Sequence, residues 1–282
     1  MLLSVFQALM AGYSRLLPGR ASDTALHLLT TPRVTRGPLS FRGSEPDLTV
    51  SLGDRAQLAI WQGGEEAALF VHGWSGRATQ MSPFINAVDA HRYTRYALIL
   101  PGHGPQADGP AHVGDFIASI RLALDFIGGP VSVALGHSMG AGALAHVAAQ
   151  DPRLERLVLI AGPAEFRGLV NNFAAFLHLG ERARLKLLQK MAARVGIGFD
   201  ALNIARLGGQ IRGPVLLIHD TGDREIPFVE GLRLQQAIPG ATLYQTQGLG
   251  HRRVLRDTVV IDTVTAFANP PTVSQAPVKA LA

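Results

Sequence analysis

Ser138 stands in Gly136-His137-Ser138-Met139-Gly140, directly after the apolar run Val131 to Leu135 and directly before the small residues Ala141 to Ala145. A Ser hydroxyl becomes a useful nucleophile when a His removes its proton and an acid fixes that His. Both follow. Asp223 lies in His219-Asp220-Thr221-Gly222-Asp223, just past an apolar run, and His251 closes Gly248-Leu249-Gly250-His251. Asp220 is the rival acid, nearer the run's end, where its carboxylate suits capping of its own loop; Asp223 is preferred. Asp257 follows the His and is read as a solvated charge inside the next helix.

A nucleophile on a tight strand-to-helix turn needs neighbours without a Cβ, which Gly136 and Gly140 supply. At a helix N-terminus it also meets backbone N–H groups able to hold an oxyanion. Met139 is one candidate amide donor. Trp74 of His72-Gly73-Trp74, after the run Ala67 to Val71, is the other. Two plainer readings stand beside this one: Gly-x-Ser-x-Gly also marks simple turns in Gly-rich chains, and Gly140-x-Gly142-x-x-Ala145 superficially matches a dinucleotide loop. The second falls inside the expected helix rather than at a strand end.

The other histidines are assigned to architecture. His72 is expected to orient loops by hydrogen bonding, His137 to pack inside the turn, and His103 of Pro101-Gly102-His103-Gly104 to border the pocket. His178 and His219 lack partners at ligand spacing, so neither a metal nor a cofactor is expected. Arg252 and Arg253 directly follow the His and are able to attract an anionic substrate, although exposed Arg at a helix start commonly just meets solvent.

The elements that must position these residues follow an alternating pattern. Leu48 to Val50 and Leu58 to Trp61 predict an antiparallel hairpin around Gly53-Asp54. Buried strands are then expected at Ala67 to Val71, Tyr96 to Leu100, Val131 to Leu135, Arg156 to Ile160, Pro214 to His219 and Ala241 to Tyr244. Helical patterns fall between them, notably Asp115 to Ile127 and Ser138 to Ala149, implying a mainly parallel sheet with helices on both faces.

Residues 45–162 and 213–268 are read as the α/β core and 163–212 as a small helical cap. One cap helix carries Phe166, Leu169, Val170, Phe173, Phe176 and Leu177 on a face, and a second carries Leu185, Leu188, Met191 and Val195. Residues 1–44 read as an amphipathic helix packed on the body plus a linker, with weak membrane-surface contact as the alternative. The stretch is too short and interrupted to span a bilayer and lacks a basic region before its apolar residues. The Pro-rich tail 269–282 reads as disordered.

The composition fits an ordinary globular chain: 282 residues, 47% hydrophobic and 17% charged. The net charge of +5 is scattered rather than gathered into a stripe, which argues against a nucleic-acid partner. The absence of Cys removes thiol nucleophiles and disulfides and is compatible with a cytoplasmic setting.

With Ser138, Asp223 and His251 in that order and the His-Gly-Trp turn, residues 45–268 resemble the α/β-hydrolase superfamily. The resemblance implies Ser138 as nucleophile, His251 as base, Asp223 as its orienting acid, and the Trp74 and Met139 amides as oxyanion hole. The family's His-Gly-x-x-Asp pattern is here His219-Asp220-Thr221-Gly222-Asp223, a departure that bears on the choice between the two acids. Ser at the turn, rather than Asp, speaks against the haloalkane dehalogenase and epoxide hydrolase branches.

The expected function is hydrolysis of a small-molecule carboxylic ester or thioester through an acyl-enzyme, with Phe166, Phe173 and Phe176 lining an apolar acyl site. A non-catalytic binding module, a carbon–carbon bond hydrolase and an acyltransferase share the same machinery and stay open.

Overall fold

The structure, a computed structural model, describes residues 2–34, 36–105 and 109–269. Helices α1 (Leu2–Leu16) and α2 (Pro18–Thr30) precede strands β1 (Leu48–Leu52), β2 (Ala56–Trp61) and β3 (Glu66–Val71). Next come α3 (Ser82–Ala87), β4 (Tyr93–Ile99), α4 (Val113–Ile127), β5 (Val133–His137), α5 (Met139–Ala148) and β6 (Leu157–Ile160). After α6 (Phe166–Phe176), α7 (Glu181–Val195) and α8 (Ile204–Leu207), the chain returns to the sheet. It ends with β7 (Val215–Asp220), α9 (Val229–Ala237), β8 (Thr242–Thr246), α10 (Gly250–Arg253) and α11 (Thr258–Ala268).

The eight strands form one sheet in the order β1-β2-β4-β3-β5-β6-β7-β8. β1 pairs antiparallel with β2, and β2 antiparallel with β4; every later pairing is parallel. Side chains alternate across the strands. Leu58, Ile60, Leu69, Val71 and Leu159 face the core shared with α4, α5 and α6. Ala59, Trp61, Ala68, Phe70, Val158 and Ile160 face a second core closed by Phe84, Ile85, Val260 and Val264 of α3 and α11. Both faces are covered, which is why β3, β5, β6 and β7 read as nearly continuous apolar runs.

Local chemistry sets the helix ends. The His112 and Asp115 side chains form a reciprocal cap at the start of α4, and Gly128, with φ of 73°, ends it. Asp257, expected inside the following helix, instead caps α11, accepting from the Val260 amide at 3.0 Å. The excursion between β6 and β7 is helical and is held to the core by Glu230 of α9, whose carboxylate accepts from the Ala164 and Glu165 amides at 3.0 and 3.2 Å.

Two sequence expectations are corrected here. Residues 1–44 hold two helices before the linker rather than one: Pro18 fits the first position of α2, where its missing N–H costs nothing. On α7 the buried face is Ala183, Leu187, Leu188 and Met191, while Leu185 is 46% exposed. Helix α1 meets the body through buried Met10 and through Ser14 Oγ, which accepts from Gly180 N at 2.9 Å. Leu3, Val5, Leu9 and Leu16 point outward. Among the described residues no helix is long and apolar enough to cross a membrane. Apart from Asn269, the tail expected to be disordered lies outside the described residues.

Candidate active site

Strand β5 delivers Ser138 at its carboxyl end, in the first core position after the sheet and immediately before α5. Its φ of 53° and ψ of −124° are forbidden to most L-residues, so the turn stores strain that packing must offset. Close approach explains the flanking glycines. A Cβ on Gly136 would lie 2.7 Å from the Ala141 Cα, and one on Gly140 would lie 2.4 Å from the His72 carbonyl oxygen. Strand β5 therefore sits against α5, and α5 against the end of β3, only because both positions lack a side chain.

Three side chains meet in one hydrogen-bonded chain. His251 Nδ1 lies 2.7 Å from Asp223 Oδ2, and His251 Nε2 lies 2.9 Å from Ser138 Oγ. With the Nδ1 proton donated to the carboxylate, Nε2 is left as the acceptor for the Ser hydroxyl. The Asp223 side chain is fully buried and that of His251 only 7% exposed. Burial disfavours ionised Asp223, but the His251 bond and the Ile226 and Glu225 amides, at 2.9 and 2.8 Å, outweigh it and hold its pKa below the ordinary carboxylate value. Of the two acids weighed from the sequence, Asp223 is thus the one that touches His251.

Asp220 has a different job. Its Oδ2 accepts from Leu249 N and Thr246 Oγ1, both at 2.9 Å, and its Oδ1 accepts from Gly222 N at 2.9 Å. The carboxylate thereby ties the loop carrying His251 to the end of β7. From the other side, His137 Nε2 donates to the His251 carbonyl at 2.9 Å, and the two rings lie tilted against each other with centroids 4.7 Å apart. Sequence reasoning treated His137 as packing alone; a partner 114 residues away leaves no local signal.

Two further histidines organise the facing loops. His72 donates from Nδ1 to Gly73 O at 2.9 Å and accepts from Leu100 N at 3.4 Å. His103 donates to Pro101 O at 2.8 Å and accepts the Ser75 amide at 3.0 Å. Burial is the main cause that keeps these rings neutral. It pushes His72 to about 3, helped by His103, and His103 to about 4. His137 is likewise pushed to about 3 by burial and then by His251.

Trp74 and Met139 flank Ser138. Met139 opens α5, so its amide has no intrahelical acceptor. Trp74 follows Gly73, whose missing Cβ would lie 2.8 Å from the Ser138 Cβ. Both residues line an apolar cavity of about 30 Å³, together with Leu29, Val113, Phe166 and Val170.

Of the three aromatic residues expected there, Phe166 alone borders that cavity. Phe173 lies two turns further along α6, about 10 Å at 1.5 Å per residue, and stacks on Phe176 at 6.5 Å. Phe176 is 49% exposed, and its carbonyl accepts from Gln7 of α1. Helical periodicity places residues on a face without saying what the far end of that face meets. Among the described residues no group of three or more His, Asp or Glu is arranged to hold a metal ion.

A parallel sheet flanked by helices, with a strained Ser at a strand-to-helix turn, defines an α/β-hydrolase architecture. The sequence model of the alpha/beta hydrolase family matches residues 68–263, and the chain belongs to that family. Over 127 residues it is 34% identical to the dihydrolipoyllysine-residue acetyltransferase component of the acetoin cleaving system of Cupriavidus necator, covering 43% of this chain and 32% of that protein. Over 102 residues it is 29% identical to the pimeloyl-[acyl-carrier protein] methyl ester esterase of Xanthomonas campestris pv. campestris, covering 36% and 38%. These matches therefore span roughly a third of the curated relatives' length.

Among solved structures, Est1E from Butyrivibrio proteoclasticus is similar with a TM-score of 0.62 at 12% identity, covering 79% of this chain and 97% of that one. The meta-cleavage product hydrolase CumD from Pseudomonas fluorescens IP01 gives 0.55 at 19% identity, covering 76% and 94%. At these identities the likeness is one of fold.

Proposed function

We propose that the protein is a serine hydrolase that cleaves a carboxylic ester or thioester through an acyl-enzyme. The observation that carries this reading is the chain Asp223–His251–Ser138, with hydrogen-bond distances of 2.7 and 2.9 Å. Ser138 Oγ attacks the acyl carbonyl while its proton passes to His251 Nε2. Asp223 accepts the Nδ1 proton's hydrogen bond, fixing the tautomer and favouring the imidazolium that forms. The developing oxyanion is held by the Trp74 and Met139 amides, assisted by the positive end of α5.

Collapse breaks the bond to the alcohol or thiol, which leaves with the proton from His251, and the acyl group stays bonded to Ser138 Oγ. Water attacks the acyl-enzyme, again with His251 as base, releasing a carboxylic acid and restoring the hydroxyl. The acyl group points toward the apolar cavity that Phe166 borders, on the side of the helical excursion between β6 and β7. Cleavage of a methyl ester, as named for the Xanthomonas relative, is one reaction of this class.

Hydrolysis of 2-nitrophenyl hexanoate by wild type and Ser138→Ala tests the reading. Loss of the hydroxyl is expected to lower kcat by about 10⁶. Turnover by Ser138→Ala near the wild-type rate contradicts it.

A further inference from the structure

Two cavities of opposite character flank the Ser138 turn: His137 lines one, Met139 lines the other, and Trp74 belongs to the wall of both. One is the apolar cavity of about 30 Å³ that begins at Met139. The other is wider, about 270 Å³, and is lined by His251 together with Arg252, Arg253 and Arg256. Glu225 is the acidic side chain in that lining.

The charges there do not cancel. Arg252 Nε donates to Glu225 at 3.0 Å, which neutralises that pair. Arg253 uses one guanidinium nitrogen to hold the Gly248 carbonyl at 2.6 Å and keeps its other donors. The Arg256 guanidinium has no hydrogen-bond or ion-pair partner among the described residues. Two unopposed positive charges therefore border the cavity whose wall includes the proton-transferring ring.

The chemistry assigns a direction to the substrate. His251 must reach the atom that leaves, so the alcohol or thiol half departs on the His251 side. The carbonyl oxygen points to the Trp74 and Met139 amides, and the acyl chain continues toward Met139 and Phe166. We infer that the substrate pairs an apolar acyl group with an alcohol or thiol that carries an anion, a phosphate or a carboxylate, received by Arg253 and Arg256. This rests on the serine-hydrolase reading above and names the substrate class of that same site. Guanidinium forks suit either anion, because both accept parallel N–H bonds.

The test compares three hexanoyl substrates with wild type and the Arg253→Gln/Arg256→Gln double variant. 2-Nitrophenyl hexanoate has a neutral leaving group, 3-hexanoyloxy-4-nitrobenzoate adds a carboxylate to the same phenol, and hexanoyl-coenzyme A carries phosphates. For at least one charged substrate, its kcat/KM relative to the neutral ester is expected to fall about tenfold in the double variant, mainly through KM. Added salt is expected to lower the same ratio in wild type. A response to the nitrobenzoate alone identifies a carboxylate, and a response to the thioester alone a phosphate.

Turnover of the neutral ester with ratios that the double variant leaves unchanged overturns this inference and leaves the hydrolase reading standing. No turnover of any substrate by folded wild type, together with no acylation of Ser138 by a fluorophosphonate, overturns both.

Discussion

Lowering the pH from 7 to 5 is expected to destabilise the protein by at least about 5 kcal/mol, through three histidines that remain neutral in the folded state. His72, His137 and His103 have folded pKa values of about 3, 3 and 4, against an ordinary value of 6.5. Their folded values are depressed, so between pH 6.5 and about 4 the unfolded chain binds protons that the folded chain refuses. Stability is fully present above about pH 6.5 and is lost as the pH falls.

For each ring the loss is RT ln(1 + 10^(6.5 − pH)), which is roughly 0.2 kcal/mol at pH 7 and roughly 2.1 kcal/mol at pH 5. The difference is about 1.9 kcal/mol per ring and between about 5 and 6 kcal/mol for three. His146 and His219, also lowered chiefly by burial, act in the same direction. Urea unfolding followed by Trp fluorescence at the two pH values measures it. His103→Asn should cut the pH-dependent loss by about 1.9 kcal/mol, whatever its effect at pH 7. Equal stability at both pH values, or an identical pH slope in wild type and variant, refutes the reasoning.

Three other outcomes are expected. Asp223→Asn should lower kcat by about 10⁴, since the amide no longer holds the His251 tautomer, whereas Asp220→Asn, which only loosens the loop, should cost about tenfold; the reverse order in ester kinetics contradicts the assignment of the two acids. Gly140→Ala should unfold the protein at lower temperature or prevent its soluble expression, because the new Cβ meets the His72 and Val71 carbonyl oxygens at 2.4 and 2.7 Å. Gly12→Ala, in the middle of α1 with nothing within 4 Å of the added Cβ, should instead stabilise by roughly 0.5–1 kcal/mol in thermal unfolding.

Much of this architecture is legible in one sequence because parallel strands covered on both faces must be apolar throughout. β3, β6 and β7 therefore announce themselves within a residue or two. β4 begins earlier than its apolar core suggests, at Tyr93, whose hydroxyl donates to Ala268 O at 2.6 Å, a contact no local pattern encodes. The placement of β4 between β2 and β3 is likewise set by packing across the whole sheet rather than by any one segment.

At the site, residue type and order brought Ser138, Asp223 and His251 into view, because a Ser paired with a His that an acid holds in place admits few other side chains. The supporting contacts stayed hidden. Asp220 holding Leu249, and His137 holding His251, are bonds between distant segments. Phe173 and Phe176 mislead for a related reason: their helical face continues past the cavity to the exposed end of α6, whose Phe176 carbonyl meets Gln7 of α1.

Labelling of the purified protein with a fluorophosphonate, with the adduct mapped by peptide mass, tests the central claim most directly. The account predicts a single phosphonylated residue, Ser138, in wild type, and loss of labelling in both Ser138→Ala and His251→Ala. Folded wild type that stays unlabelled, or equal labelling in His251→Ala, would contradict an activated nucleophile at the end of β5.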